Sequence, residues 1–245
     1  MTIILMGKAA SGKDTLQKEL ISQGFERVVT ATTRQPREGE QDGVDYHFFQ
    51  NSDFESMIIR NELVEYTSFN KAYYGCPKTS IDFEKDQCII LEPKGAQNFV
   101  NVFGRDTFFI VDIQLDEEVR KLRAEGRGSF SEEWWRDRCA NDNKRFDKDL
   151  IDSLANYTLD LNNIMYRGIT PEDTAKHIIE AVNAYKCIDL YPNEQGIISV
   201  VNGEFQAGVV KRGIEEDDYE TPDDIYFDEH NEARAEQEVE EDIGF

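Results

Sequence analysis

The sequence predicts an α/β fold, a parallel sheet with helices on both faces, and three observations carry that expectation. Short uninterrupted apolar runs recur at residues 2–6, 88–91 and 108–111, the pattern of strands covered on both sides. Segments with helical spacing or helix-start signals lie between them. Parallel neighbours need such crossovers, because the chain has to return to the same end of the sheet.

The first run, 2–6, ends at Gly7 and reads as a buried strand. Residues 13–21 follow with Leu16, Leu20 and Ile21 at helical spacing, and Gly24 is a stop signal. Residues 28–85 are polar and aromatic, with short extended pieces and turns such as Gln41-Asp42-Gly43, and read as an insertion. The runs 88–91 and 108–111 are two more strands. Residues 115–146 are highly charged and helical, interrupted at Gly126-Arg127-Gly128. Residues 157–161 resemble a further strand. Thr170-Pro171-Glu172-Asp173 starts a helix: a cap, a proline at the first position, then acids at the positive end. Its apolar stripe is Ala175, Ile178, Ile179 and Val182. Residues 197–201 and 204–210 flank Asn202-Gly203, a favoured two-residue hairpin turn.

The chain has 245 residues, enough for one α/β domain with subdomains. Its net charge of −23 is uneven: residues 213–245 hold 15 acids and one arginine, a net of −14. That tail has no apolar periodicity and reads as disordered. The acidity argues against direct nucleic-acid binding or an anionic membrane surface as partner. Two stretches run the other way: residues 1–37 carry six bases and three acids, and residues 120–145 carry eight and five. No apolar run approaches the roughly 20 residues that span a bilayer. The start runs into a glycine loop without a basic region, so no secretion signal is read, and a cytoplasmic protein is expected. The four cysteines show no CxxC spacing, which predicts neither a zinc site nor a disulfide framework.

The glycine loop carries the first chemistry. Gly7-Lys8-Ala9-Ala10-Ser11-Gly12-Lys13-Asp14-Thr15 fits GxxxxGK, followed by Asp14 where Ser or Thr is usual. Glycines let N–H groups turn inward around a phosphate, the helix start adds its dipole, and Lys13 adds a full charge. This predicts ATP binding by Gly7, Ala9, Ala10, Ser11, Gly12, Lys13, Asp14 and Thr15. The usual hydroxyl ligates magnesium, so Asp14 would hold the ion directly or through water.

A second stretch names a substrate class. Thr30-Ala-Thr-Thr-Arg34-Gln-Pro-Arg37-Glu-Gly39, then Asp42-Gly-Val-Asp-Tyr46-His-Phe48 and Tyr73-Tyr74-Gly75, resemble the guanylate kinases from about residue 2 to 185. The resemblance implies a P-loop NTPase-type parallel sheet, an inserted nucleoside-monophosphate-binding subdomain and a helical lid, closing over ATP and GMP or dGMP. The expected division is a domain at 1–186, with core 1–29, 86–119 and 148–186, monophosphate subdomain 30–85 and lid 120–147. A hairpin extension at 187–212 and the acidic tail at 213–245 follow. Carried onto this chain, the resemblance implies that Arg34, Arg37, Tyr46 and Tyr74 hold the GMP phosphate, as forked donors and hydroxyls suit a dianion. Glu65 matches the glutamate that accepts from guanine N1 and N2, and Thr30 a serine near the guanine oxygen. Cys76 stands where the family has Ser or Thr against the base; a thiol bonds weakly, which leaves open an acceptor with a modified base. Aligned on Gly95-Ala96, Glu92 keeps one of two family carboxylates while Ile90 replaces the other, or a short deletion pairs Glu92 with the first of them; either way Glu92 is expected near metal or base. Asp14 and Glu92 are thus the candidate metal ligands.

In the lid, Arg123, Arg127 and Arg138 match arginines that contact ATP phosphates, and Lys13, Arg127 and Arg138 are the implied catalytic cations. Trp134, Arg138, Asn141 and Arg145 share one helical face, although Arg145 matches no family arginine. The implied reaction is magnesium-assisted phosphoryl transfer from ATP to GMP or dGMP. Two alternatives stay open: another deoxynucleoside monophosphate as acceptor, or an inactive interaction module. Glu240-Glu-Asp-Ile243-Gly-Phe245 resembles the acidic tip of bacterial single-stranded-DNA-binding proteins, which implies a protein partner for the tail.

Overall fold

A computed structural model describes residues 1–69, 71–126, 130–162, 168–188, 194–201 and 204–211. The chain divides into two compact units, Met1–Ala175 and Lys176–Phe245. The centre of the first is a five-stranded parallel sheet in the order β2 (Glu26–Arg27), β7 (Gln87–Ile90), β1 (Thr2–Gly7), β8 (Phe108–Gln114), β9 (Tyr157–Asp160). Ile3, Ile4, Leu5 and Met6 are fully buried, so the strand is covered on both faces as its unbroken apolar run predicts. Ile4 and Met6 join a core with Ile89, Phe108 and Ile110, Phe99 of α3 (Pro93–Phe103) and Leu154 of α6 (Lys148–Leu154). The helix α1 (Lys13–Ser22) packs on β1 and β7 and buries Leu16 and Leu20. Ile21, expected on the same stripe, is exposed, and Gln17 is buried in its stead, bonded to the Cys88 carbonyl at 3.4 Å.

The expected insertion forms its own four-stranded sheet, β4 (His47–Phe48), β3 (Ala31–Thr32), β6 (Ala72–Pro77), β5 (Leu63–Phe69). It also contains a helix that the sequence reading did not foresee, α2 (Asn51–Ile59). Phe54 and Met57, three residues apart, bury one face of α2 with Ala31 and Leu63, and Phe54 stacks on Tyr73 at 5.3 Å. The same omission occurs at α3, whose proline at the first position and Ala96, Phe99 and Phe103 spell a helix once strand β7 is ended.

The charged stretch yields α4 (Glu117–Glu125) and α5 (Glu132–Arg145), as expected. Ser131 caps α5 by accepting from Trp134 N–H at 3.2 Å. Trp135, Cys139 and Asp142 form its buried face, adjacent to the predicted Trp134, Arg138, Asn141, Arg145 row. Helix α7 (Pro171–Ile188) begins with the predicted cap: Asp173 N–H donates to Thr170 Oγ1 at 3.1 Å, and that hydroxyl donates back to the Asp173 carboxylate at 2.7 Å. Thr174, Ala175, Ile178, Ala181 and Val182 are its buried positions, while Ile179 of the expected stripe is only partly buried. In the second unit, β10 (Glu194–Val201) and β11 (Glu204–Lys211) pair antiparallel, Val201 opposite Glu204. The Asn202-Gly203 turn, Arg127 and the acidic tail lie outside the described residues. No described helix is long and apolar enough to cross a membrane.

Candidate active site

The glycine loop leaves the C-terminal end of β1 and enters α1, the edge at which open parallel sheets gather ligands. Gly7 is required by space: a Cβ there would lie 2.7 Å from Ser11 Oγ and 2.9 Å from the Ile113 carbonyl. Gly12 is required by conformation, with φ +108° at the helix cap. Ala10 also takes positive φ, +61°, a costly state for alanine that here reverses the chain within the loop. Lys13 lies back across the loop, donating to the Lys8 carbonyl at 2.8 Å. Burial pushes its ammonium down to about 8, against the opposing pull of Asp14 and Asp142. Ser11 Oγ is buried without a partner among the described residues.

Helices α4 and α5 close on this loop through side chains that only tertiary structure reveals. Arg120, buried and stacked over Trp135, donates to the Ala9 carbonyl at 3.2 Å and the Leu115 carbonyl at 3.0 Å. Arg123 donates to the Ser11 carbonyl at 3.1 Å. Asp142 accepts from the Ala9 N–H at 2.7 Å and pairs with Arg138 at 3.3 Å. Lys8 donates to Asn143 at 2.7 Å. Arg120, Asp142 and Asn143 were not singled out in the sequence, because their partners are more than 100 residues away. Of the predicted lid arginines, Arg123 and Arg138 sit at the loop.

The inserted sheet assembles a second cationic cluster. Arg34 donates from both terminal nitrogens to Glu40 at 2.9 Å, and lies 5.5 Å from the Tyr46 ring and 5.8 Å from that of Phe48. Tyr74 meets Tyr46 edge-on at 6.5 Å and also interacts with Arg34. Glu40 accepts from the Arg37 N–H at 2.7 Å as well; hydrogen bonds from Arg34 and then Arg37 hold its carboxyl down at about 2. Glu40 lies within the quoted motif but was not read as a site residue, although an acid between two arginines and a tyrosine was a signal. Arg37 itself is exposed.

Glu65 lies on β5 directly opposite Cys76 on β6. Burial, then the nearby charge of Glu92, pushes the Glu65 carboxyl up to about 7. The Cys76 thiol is fully buried, donates to the Pro77 carbonyl at 3.6 Å, and is pushed up by burial. Thr30, half-buried just before β3, accepts from His47 N–H through its carbonyl at 2.8 Å. Glu92 stands at the N-cap of α3, bound to Arg145 at 2.7 Å and within electrostatic reach of Glu65. The structure therefore groups Glu92 with Glu65, and Asp14, exposed in the first turn of α1, with Lys13. Among the described residues no three His, Cys, Asp or Glu converge as a metal cage. Magnesium needs none, since it takes one or two carboxylates, waters and substrate phosphates, and the exposed Asp14 oxygens fit that donor set.

Residues 1–148 match the family model described as guanylate kinase. A guanylate kinase of Bacillus cereus is 37% identical over 141 residues, covering 54% of this chain and 68% of that protein. One of Shouchella clausii is 34% identical over 190 residues, covering 75% and 85%. The crystal structure of guanylate kinase from Anaplasma phagocytophilum superposes with a TM-score of 0.52 at 20% identity, covering 75% of this chain and 85% of that one, a likeness of fold. With a phosphate loop at the sheet edge and an arginine–tyrosine cluster on an inserted sheet, this chain belongs to the guanylate kinase family and is a nucleoside monophosphate kinase.

Proposed function

We propose that the chain transfers the γ-phosphoryl group of ATP to GMP or dGMP with magnesium, in the cytoplasm. The observation that carries this reading is the pair of separate anion-handling clusters. Lys13, Arg120, Arg123 and Arg138 gather at the phosphate loop, while Arg34, Tyr46 and Tyr74 gather on the inserted sheet. One suits a triphosphate and the other a monophosphate dianion. Phosphoryl transfer asks for alignment and charge neutralisation more than for acid–base groups. Lys13, Arg127 and Arg138 would carry charge on the transferred group, while Arg34, Arg37, Tyr46 and Tyr74 hold the acceptor. Asp14 would help to hold magnesium, which would supply further charge neutralisation when bound. Glu65 selects guanine by accepting from its N1 and N2 donors, and Thr30 stands near the guanine oxygen.

A coupled assay of ADP release across GMP, dGMP, dAMP, dTMP and dCMP tests the reading. Turnover of the guanine nucleotides alone supports it. Preference for another base supports the open alternative motivated by Cys76, and no turnover at all overturns both. On the acceptor side, Glu40→Gln is expected to raise the KM for GMP about tenfold with kcat nearly unchanged, because Arg34 loses the bidentate anchor that orients its fork. A fall in KM would mean that Glu40 chiefly repels the incoming phosphate.

A further inference from the structure

A carboxylate from α5 accepts directly from the backbone of the phosphate loop. Asp142, buried on α5, accepts from the Ala9 N–H of the phosphate loop at 2.7 Å, and its second oxygen lies 3.3 Å from Arg138 Nε. The positive φ of Ala10, the next residue, belongs to the class of backbone turn that collects N–H groups around anions. Lys13 senses the charges of Asp142, Arg138 and Arg120 together, so this carboxylate lies within reach of Lys13 as well as Arg138. We propose that Asp142 is a positioning residue that competes with the donor triphosphate for the Ala9 N–H and for Arg138, and is displaced when the triphosphate binds.

The physical case rests on exclusion and on charge. The Ala9 N–H has one hydrogen, and a carboxylate oxygen at 2.7 Å takes it. A phosphate oxygen reaching for that hydrogen meets a like charge unless Asp142 withdraws. Without any anion, Lys13, Arg120 and Arg138 would repel one another in a half-buried site. Asp142 relieves that repulsion until the nucleotide does, and its departure frees Arg138 for the donor. The next residue, Asn143, holds Lys8 at 2.7 Å, so α5 grips the loop at two successive positions. One turn on, Arg145 holds Glu92 at the acceptor side, which gives a shift of α5 a route to the second substrate.

The inference rests on the phosphate-loop reading, and the experiment separates the two. Wild type, Asp142→Asn, Asp142→Ala and Lys13→Ala are titrated with ATP and with inorganic tripolyphosphate, each with magnesium and without acceptor. Calorimetry and the fluorescence of Trp134 and Trp135, the two tryptophans of the chain, both on α5, follow binding. Asp142→Ala is expected to bind both ligands about tenfold more tightly, about 1.4 kcal/mol, with Asp142→Asn between it and wild type. A residue with a structural role alone would weaken binding or leave it unchanged when removed, and that result in variants that unfold cooperatively overturns the proposal. Failure of both Asp142 variants to fold also overturns it, assigning the residue to stability. If Lys13→Ala leaves ATP affinity intact, the phosphate-loop reading itself falls. If Lys13→Ala weakens ATP but Asp142 variants gain nothing, only the displacement falls.

Discussion

Lys13→Ala is expected to lower kcat/KM for ATP by about 10²- to 10³-fold while leaving the fold at least as stable. The magnitude follows that of deleting one preorganised donor from a site where charge develops. Lys13 is preorganised: its amine is buried beside the loop, with its direction set by the Lys8 carbonyl at 2.8 Å. That contact is weak compensation for burying an ammonium, which is why the amine is held down at about 8. Truncation therefore removes a desolvated charge, and the Lys8 carbonyl still accepts from Ser11 N–H at 3.2 Å. Thermal unfolding and steady-state kinetics on the same preparation decide the matter. A loss below about fivefold, or a loss matched by collapse of the fold, would remove Lys13 from the chemistry.

The framework strands were legible because each is apolar along its whole length and lies between covered faces. Ile3 through Met6 and Phe108 through Val111 need no alternation to be recognised. Helix α2 was not legible in the same way. Its apolar residues, Phe54, Met57, Ile58 and the exposed Ile59, sit among polar ones inside a segment whose aromatics suggested strands, and no side chain caps its start. The site divides along a similar line. Lys13, Arg34 and Tyr74 stand in short motifs whose spacing encodes the chemistry. Arg120 and Asp142 stand in a charged helical stretch where any acid or base resembles a solvated one. They acquire meaning only when α4 and α5 bring them to Ala9, 111 and 133 residues away in sequence. Arg145 follows the same rule, for its partner Glu92 is 53 residues distant and on another element.

Glu65→Gln is expected to lower kcat/KM for GMP by about 10²- to 10³-fold and to erase a pH step near 7. Guanine offers two donors, at N1 and N2, and a carboxylate can accept both; hydrogen bonds to a charged partner contribute about 1.5–3 kcal/mol each. A carboxamide accepts one and turns an NH₂ toward the other, so a donor faces a donor. Adenine presents an N1 acceptor and a C2–H at those positions, so the carboxamide NH₂ can donate to N1, and the variant should therefore narrow the preference for GMP over AMP. The pH step has a definite sign. Burial, then Glu92, raises the Glu65 carboxyl to about 7, so it is mostly protonated at pH 6 and mostly ionised at pH 8. Only the ionised form accepts twice, and kcat/KM for GMP in the wild type should rise several-fold to about tenfold between pH 6 and 8, then level off. The GMP phosphate also titrates near pH 6, so part of any rise belongs to the ligand. The comparison that isolates Glu65 is the ratio of wild type to Glu65→Gln across that range. A ratio independent of pH, or a variant that retains wild-type turnover of GMP, would place guanine selection elsewhere than on β5.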